Sequence, residues 1–263
     1  GESGFPFSEG GEPPAELLTS SSATALLPQM ADAKVRGALV VQPINYKFDH
    51  SYVANLISTD KRFKGMALLN PSADESYLPM LKEQGFVGVR FNPYLFDDGE
   101  KMSQGRGKEF YRQCGELGLP VGFMCFKGFG SHASDIEALL EAHPRTKCVI
   151  DHFGFLLQDG EPQEEAWARL LRLAVFPQVY IKISAFFRNS RGGGSGGSGG
   201  SSGSSDNASG EGELAYADLK PRVAQLVAEF GPGRLMYGSD FPFVTQQVCI
   251  LRLFIFMRTL ASI

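Results

Sequence analysis

The chain has 263 residues, a length that suits one (β/α) barrel or two small domains, and its 43% hydrophobic and 21% charged residues are typical of a soluble globular protein. The net charge of −4 argues against nucleic-acid binding, which is typical of strongly basic proteins. With this overall charge, an acidic substrate would have to be bound by a local cation.

Apolar runs rich in β-branched residues predict buried strands, and stretches with helical spacing of apolar residues lie between them. The strands are expected at residues 36–42, 64–69, 88–92, 120–126, 147–150, 179–184 and 234–238. The helices are expected at residues 22–33, 50–60, 76–84, 108–115, 134–142, 164–173 and 214–230. This alternation predicts a single barrel domain over residues 1–263.

Seven strands are one short of the eight that close such a barrel, so two alternatives stay open. One is a seven-stranded barrel. The other is a doubly wound open sheet, although no G-x-G-x-x-G follows the first predicted strand, where a dinucleotide site would carry it.

Two segments fall outside the regular pattern. Residues 192–205 are almost wholly glycine and serine, which predicts a flexible insertion over residues 191–213, in the loop after the strand at 179–184. Residues 248–257 are apolar nearly all round and predict an atypical C-terminal helix, too short to span a bilayer, which takes about 20 apolar residues.

Cysteine usage and the first residues bear on the compartment. The four cysteines form no C-x-x-C pair, which argues against a zinc ribbon or a thioredoxin-like motif. No signal peptide opens the chain. We therefore expect an intracellular protein, cytoplasmic or organellar and not secreted.

Three predicted strands end in polar residues. The strand at 234–238 leads into Asp240, the strand at 147–150 into Asp151 and His152, and the strand at 88–92 contains Arg90 and ends at Asn92. Because the carboxyl ends of barrel strands meet at one mouth, these side chains are expected to converge on one pocket.

These strand ends resemble a known family. The segments Gly88-Val-Arg-Phe-Asn92, Val149-Ile-Asp-His-Phe-Gly154 and Tyr237-Gly-Ser-Asp-Phe-Pro242 are similar to those of the amidohydrolase-related (amidohydrolase 2) TIM-barrel hydrolases. That branch contains 2-pyrone-4,6-dicarboxylate lactonase, sugar-lactone hydrolases and a decarboxylase. The resemblance covers about residues 5–245 and implies a (β/α)8 TIM-like barrel.

The resemblance also bears on metal binding. The family's first strand carries a His-x-His pair that is absent here, which implies that the first strand is missing, and the strand at 120–126 lacks the family's metal-binding His. Of the usual metal shell only Asp240 remains, with His152 beside it, whereas catalytic zinc takes three protein ligands. We expect no metal ligands and no cofactor in this chain. Zn²⁺ or another divalent metal would require an upstream His-x-His segment.

The resemblance suggests roles, each with an alternative. Asp240 would be the general base, or else a helix N-cap. His152 would polarise the scissile carbonyl and stabilise the oxyanion, or else be a core histidine with satisfied ring nitrogens. Arg90 would hold a substrate carboxylate, or else form a salt bridge inside the barrel.

Other polar residues have weaker signals. Asn92, Tyr94 and Lys127 are expected to assist in substrate binding, and Asp151 is expected to orient its neighbours rather than act as a base. One of Lys182 and Ser184 is expected to face the pocket. His132 and His143 are expected at the surface.

The first functional hypothesis is a hydrolase that opens a lactone or similar ester of a small carboxylated compound, with water activated by Asp240. The alternatives are a non-catalytic or defective barrel fragment with a binding or structural role, and a metal-dependent decarboxylase if the upstream segment exists. The expected partner is a small molecule, with no nucleic acid and no membrane. Unpaired sheet edges predict self-association.

Overall fold

The structure is a computed structural model that describes residues 4–18, 20–191 and 216–246. The predicted C-terminal helix and all of the predicted glycine- and serine-rich insertion except Arg191 lie outside these residues. No helix in the described ranges combines the length and the apolar character that a membrane crossing requires. Cys114, Cys125 and Cys148 are buried free thiols.

In the described ranges, nine strands form two sheets. They are β1 Ala38–Val41, β2 Phe63–Leu68, β3 Phe86–Phe91, β4 Val121–Phe123, β5 Cys148–Ile150, β6 Leu157–Gln158, β7 Glu161–Pro162, β8 Val179–Ile183 and β9 Leu235–Tyr237. Seven of them pair in the order β1-β2-β3-β4-β5-β8-β9, every pair parallel, and β6 and β7 form a separate antiparallel hairpin. Because neighbours in the sheet follow chain order without reversal, the doubly wound alternative is wrong.

Among the residues that the structure describes, eight α-helices connect or cover the strands. They are α1 Ala23–Asp32, α2 Ser51–Thr59, α3 Tyr77–Glu83, α4 Gly105–Leu117, α5 Ala133–Ala142, α6 Glu164–Arg172, α7 Phe186–Asn189 and α8 Lys220–Phe230. The first helix begins where the sequence predicts, because the Ser22 hydroxyl caps it by accepting from the Ala25 N–H at 3.1 Å. The four-residue helix α7 is too short to show a helical repeat and was not predicted.

The two faces of the large sheet differ in chemistry. The residues that pack against the helices are apolar and fully buried, among them Val89, Phe123 and Ile181. The opposite face carries charged side chains and glycines, and a Cβ at Gly88 or Gly122 would lie 2.9 or 3.1 Å from Met66. The main apolar core therefore lies between sheet and helices, and the barrel interior is left for polar groups.

The seven parallel strands curl into an incomplete (β/α) barrel, as the sequence predicts. In the described part of the chain no ladder joins β9 back to β1, so the seven-stranded closed barrel does not form. Both edge strands are only half-buried, and Leu39 on β1 is 37% exposed. Self-association through these edges stays a prediction.

Candidate active site

A cluster of three charged side chains lies inside the barrel, contributed by β3, the end of β5, and β8. Arg90 Nη2 is 2.8 Å from Asp151 Oδ2, and Lys182 Nζ is ion-paired with Asp151 Oδ1. Burial on its own would raise the pKa of the Asp151 carboxyl, but the two cations together lower that pKa below its ordinary value. The carboxylate therefore stays ionised, and the cluster carries one excess positive charge.

Glycines on the inner face of the barrel make room for this cluster. A Cβ at Gly122 would lie 4.0 Å from Asp151 Oδ2, and a Cβ at Gly238 would lie 3.2 Å from Lys182 Cδ. Arg90 therefore forms a salt bridge inside the barrel, which is one of the two roles that the sequence left open for it. Its Nε is buried and has no hydrogen-bond acceptor among the described residues.

A left-handed turn at residues 152–155 follows β5. The four residues have φ values of 54°, 57°, 69° and 55°, and all four are buried. Left-handed helical backbone costs about 1–2 kcal/mol for each non-glycine residue, so the surrounding contacts must hold the turn. The Gly154 N–H donates to Asp151 O and the Phe155 N–H to His152 O, both at 2.9 Å. Strain of this kind clusters at functional sites, which makes His152 a candidate.

Replacing Gly154 with alanine should remove roughly 2–5 kcal/mol from the free energy of unfolding, through backbone strain and overpacking together. Its φ is +69°, and a Cβ would lie 2.6 Å from Leu170 Cδ1 and 3.0 Å from Phe129 Cβ. Gly160→Ala is the matched control, because Gly160 has φ +80° but no atom within 4 Å of the added Cβ. Urea unfolding of both variants measures the difference, and equal losses would contradict the packing argument.

His152 links a buried hydroxyl to an accessible carboxylate. Its Nδ1 is 2.7 Å from Ser184 Oγ, and its Nε2 is 3.7 Å from Asp240 Oδ1. Burial lowers the pKa of His152 to about 4, so the ring is neutral near pH 7. This separation of Nε2 and Asp240 is too long for a hydrogen bond, but the negative charge of the carboxylate favours the proton on the nitrogen that faces it, Nε2, and leaves the Ser184 hydroxyl to donate to Nδ1.

The residues linked by these contacts differ in how far their side chains are exposed to solvent. Ser184 is fully buried, whereas the Asp240 side chain is 19% exposed, so Asp240 is the group that faces the mouth. Asp240 has a positive φ of 59°, and His152 has a positive φ of 54°. Neither residue lies within a regular strand; both lie on tight turns just beyond strand ends, where backbone geometry aims them at each other.

Arg188 is the residue that sequence reasoning missed. It lies on α7, and its Nε is 3.4 Å from Asp240 Oδ2. The guanidinium carbon lies 5.0 Å from the ring centroids of both Phe187 and Phe243, which hold it in place. Its side chain is one-third exposed, and no described residue accepts a hydrogen bond from its terminal amino groups. No pattern in the sequence distinguishes this arginine from the surface arginines.

The other predicted substrate contacts form a separate group. The Asn92 side chain accepts from the Tyr94 N–H at 3.1 Å, and the Tyr94 hydroxyl accepts from the Lys127 N–H at 2.9 Å. Lys127 Nζ lies 5.1 Å from the centre of the Tyr94 ring. These contacts tie the loops after β3 and β4 together, and no described contact joins the group to Asp240.

The two histidines expected at the surface are both half-buried. His132 is half-buried, and its Nε2 lies 3.0 Å from the Tyr94 hydroxyl, where burial lowers the pKa of the ring. His143 is half-buried as well, at the opposite end of the barrel before β5. The sequence around His132 gave no signal of its contact with Tyr94.

The donor set at the mouth does not fit a divalent metal. Within residues 4–18, 20–191 and 216–246, no three His, Cys, Asp or Glu side chains come together as a metal-binding group. One Asp240 oxygen faces His152, and the other faces the Arg188 guanidinium, where a second cation would be repelled. Catalytic zinc takes three protein ligands. The described residues therefore do not form a catalytic metal site.

Comparisons with known proteins agree with this architecture. The family model described as amidohydrolase matches residues 14–248. A probable 2-pyrone-4,6-dicarboxylic acid hydrolase from Acinetobacter baumannii, solved with citric acid bound, is 18% identical, with a TM-score of 0.69 over 89% of this chain and 80% of that one. An amidohydrolase from Burkholderia multivorans with bound zinc is 17% identical, with a TM-score of 0.65 over 91% and 79%.

A third similar structure has another activity. A dihydroxybenzoic acid decarboxylase from Polaromonas, solved with manganese and an inhibitor, is 14% identical, with a TM-score of 0.56 over 89% of this chain and 81% of that one. A search among curated proteins found no match. Identities this low show a shared fold, while the family model covers most of the chain and confirms the predicted resemblance. The chain therefore belongs to the amidohydrolase family.

Proposed function

We propose that this protein is a hydrolase that opens a lactone or similar ester of a small carboxylated compound, without a metal. One observation supports the proposal above the others. Asp240, an accessible carboxylate at the barrel mouth, lies between the neutral His152 ring and the Arg188 guanidinium. A base, a hydrogen-bond donor and an anion receptor thus adjoin one another, as acyl hydrolysis requires.

In the proposed reaction, Asp240 takes a proton from a water molecule while the water oxygen bonds to the acyl carbon. The carbonyl becomes an oxyanion, which accepts a hydrogen bond from His152 Nε2–H. Collapse of the tetrahedral intermediate breaks the ring carbon–oxygen bond, and the leaving oxygen takes the proton from Asp240. The products are a carboxylic acid and a hydroxyl group, and ionisation of the acid releases one proton.

The local charge favours an anionic substrate despite the chain's net charge of −4. Three cations, Arg90, Lys182 and Arg188, lie around two carboxylates, Asp151 and Asp240, while His152 is neutral. Arg90 is engaged by Asp151, whereas the terminal amino groups of Arg188 can form a fork with a carboxylate. We therefore assign the substrate carboxylate to Arg188, with Arg90 and Lys182 adding positive potential beneath it.

Asn92, Tyr94 and Lys127 complete the proposed binding surface on the side of the mouth formed by β3 and β4. Tyr94 and Asn92 hold this loop pair in place through the hydrogen bonds described above. Lys127 supplies an exposed ammonium that could meet a second polar group of the substrate. In the proposed complex, the reacting carbonyl lies near Asp240 and the distal end of the compound lies toward Lys127.

Initial rates of proton release over a panel of carboxylated lactones and their uncharged counterparts test the proposed activity. We expect turnover of one or more carboxylated members and markedly slower turnover of the uncharged ones. Absence of turnover across the panel, with or without added zinc, would overturn the proposal and favour a non-catalytic binding protein.

Replacing Arg188 with methionine is expected to raise KM for the carboxylated substrate by roughly 10–100-fold, since hydrogen bonds to charged groups contribute about 1.5–3 kcal/mol. KM for an uncharged ester should stay unchanged. Arg222→Met is a matched control, because Arg222 also stacks on an aromatic ring, Trp167, and pairs with a carboxylate, but on the outer helices. A similar rise in KM for charged and uncharged substrates would contradict the assignment.

A further inference from the structure

The side chain of Asn189 connects two strand ends of the proposed site. It is 1% exposed and lies at the end of α7. Its Oδ1 accepts from the Leu156 N–H at 2.8 Å, and its Nδ2 donates to Ala185 O at 3.0 Å. Leu156 directly follows the left-handed turn after β5, and Ala185 lies two residues beyond the end of β8.

Both connected segments contain residues in the left-handed region of backbone space, which is energetically unfavourable for residues other than glycine. Residues 152–155 are left-handed throughout, and Ala185 has a φ of 50°. The rings of Phe153 and Phe186 pack edge to face at 5.5 Å between the same two segments. A buried amide that satisfies one backbone group on each segment therefore fixes their relative position.

The relative position of these segments sets the hydrogen bond of His152. His152 belongs to the first segment, and Ser184, whose Oγ is 2.7 Å from His152 Nδ1, immediately precedes Ala185 in the second. Because a serine hydroxyl can donate or accept, its contact with Nδ1 fixes the orientation of the ring, and this orientation keeps Nε2 towards the Asp240 carboxylate, which selects the proton position. If the segments separate, the ring can turn away from Asp240, and the two neutral tautomers become comparable in energy. The Nε2–H that faces Asp240 then ceases to be the dominant form.

We propose that Asn189 is a positioning residue that holds His152 in the Nε2–H tautomer by locking its turn against Ser184. This rests on the proposed function only in giving His152 a role in the reaction. The Asn189 side chain makes no described contact with Asp240 or with the Arg188 side chain, so it acts through His152. The same short helix thus supplies Arg188 to Asp240 and Asn189 to the turn that carries His152.

The test compares Asn189→Leu and Asn189→Asp with the native chain by ¹⁵N NMR of the imidazole nitrogens. Four histidines give few signals, and His152→Gln identifies the relevant pair. Near pH 7.5 the native chain should show one His152 tautomer, protonated at Nε2, and Asn189→Leu should show both. Exchange of the Leu156 amide should accelerate about tenfold or more in Asn189→Leu, because its acceptor is lost.

Asn189→Asp keeps an acceptor for the Leu156 N–H but loses the donor to Ala185 O. It should preserve the slow exchange of Leu156 and show a smaller change in tautomer. If Asn189→Leu fails to fold, Asn189→Asp carries the test. The proposal would be overturned if Asn189→Asp showed the single His152 tautomer of the native chain and native exchange rates for the amides next to Ala185.

Gln178→Leu is the matched control, since Gln178 is another buried amide, whose Nε2 donates to Leu140 O at 3.2 Å at the far end of β8. It should lose comparable stability without altering the His152 tautomer. An unchanged His152 signal in folded Asn189→Leu, or an equal change in Gln178→Leu, would overturn the proposal. These NMR readouts need no turnover, so they stand apart from a failure of the proposed hydrolysis. Where turnover exists, kcat should fall about tenfold with KM nearly unchanged.

Discussion

Asp240→Asn is expected to lower kcat for the best carboxylated lactone by roughly 10²–10⁴-fold, the usual contribution of a general base. The amide keeps the shape of the carboxylate but cannot take the proton from water. KM should change little, because the substrate carboxylate is assigned to Arg188. Initial rates of proton release measure the effect, and thermal unfolding checks that the variant folds.

The chain offers a matched control for this variant. Asp159 also has a positive φ, 51° against 59° for Asp240, and lies in the β6–β7 hairpin, with no described contact to His152, Arg188 or Asp240. Asp159→Asn makes the same chemical change at the same kind of backbone position and should leave kcat unchanged. Near-native turnover in Asp240→Asn would remove Asp240 from the role of base.

Asp151→Asn is expected to lower the free energy of unfolding by about 3–5 kcal/mol, because it leaves buried Arg90 and Lys182 without their counter-charge. Lys182→Met should cost less, since Arg90 still neutralises Asp151. Urea unfolding near pH 7 measures both losses. A smaller loss in Asp151→Asn than in Lys182→Met would contradict the account of the buried cluster.

The loss in Asp151→Asn should also depend on pH. The two cations hold the pKa of Asp151 below its ordinary value of 3.8, so the carboxylate stabilises the folded chain above that value. As pH falls below about 4 toward the folded pKa, the unfolded chain binds the proton more readily, and this contribution is lost. The difference between the native chain and Asp151→Asn should therefore be largest near neutral pH and shrink on acidification.

Regular elements could be predicted because their pattern lies in neighbouring residues. The strand predicted at residues 179–184 is observed at Val179–Ile183, and the helix predicted at 164–173 is observed at Glu164–Arg172. Apolar β-branched runs and helical spacing fix such segments locally. The strand predicted at 120–126 ends earlier, at Phe123, because its neighbour β5 pairs with only three of its residues.

The candidate site could be predicted only in part. Asp151, His152 and Asp240 lie one to three residues beyond strand ends, and parallel strands deliver their carboxyl ends to one mouth. Arg188 and Asn189 lie on one turn of helix and gain their roles only from tertiary contacts. The ion pair between Arg90 and Asp151 depends on how β3 and β5 register through β4, which no local pattern records.

Turnover of a carboxylated lactone by the full chain, after exhaustive treatment with chelator, tests the central claim most directly. The proposed mechanism predicts a rate unchanged by the chelator, unchanged by added zinc, and lost in Asp240→Asn. Activity that disappears with the chelator and returns with zinc would contradict the claim that the residues at this mouth hydrolyse the substrate without a metal.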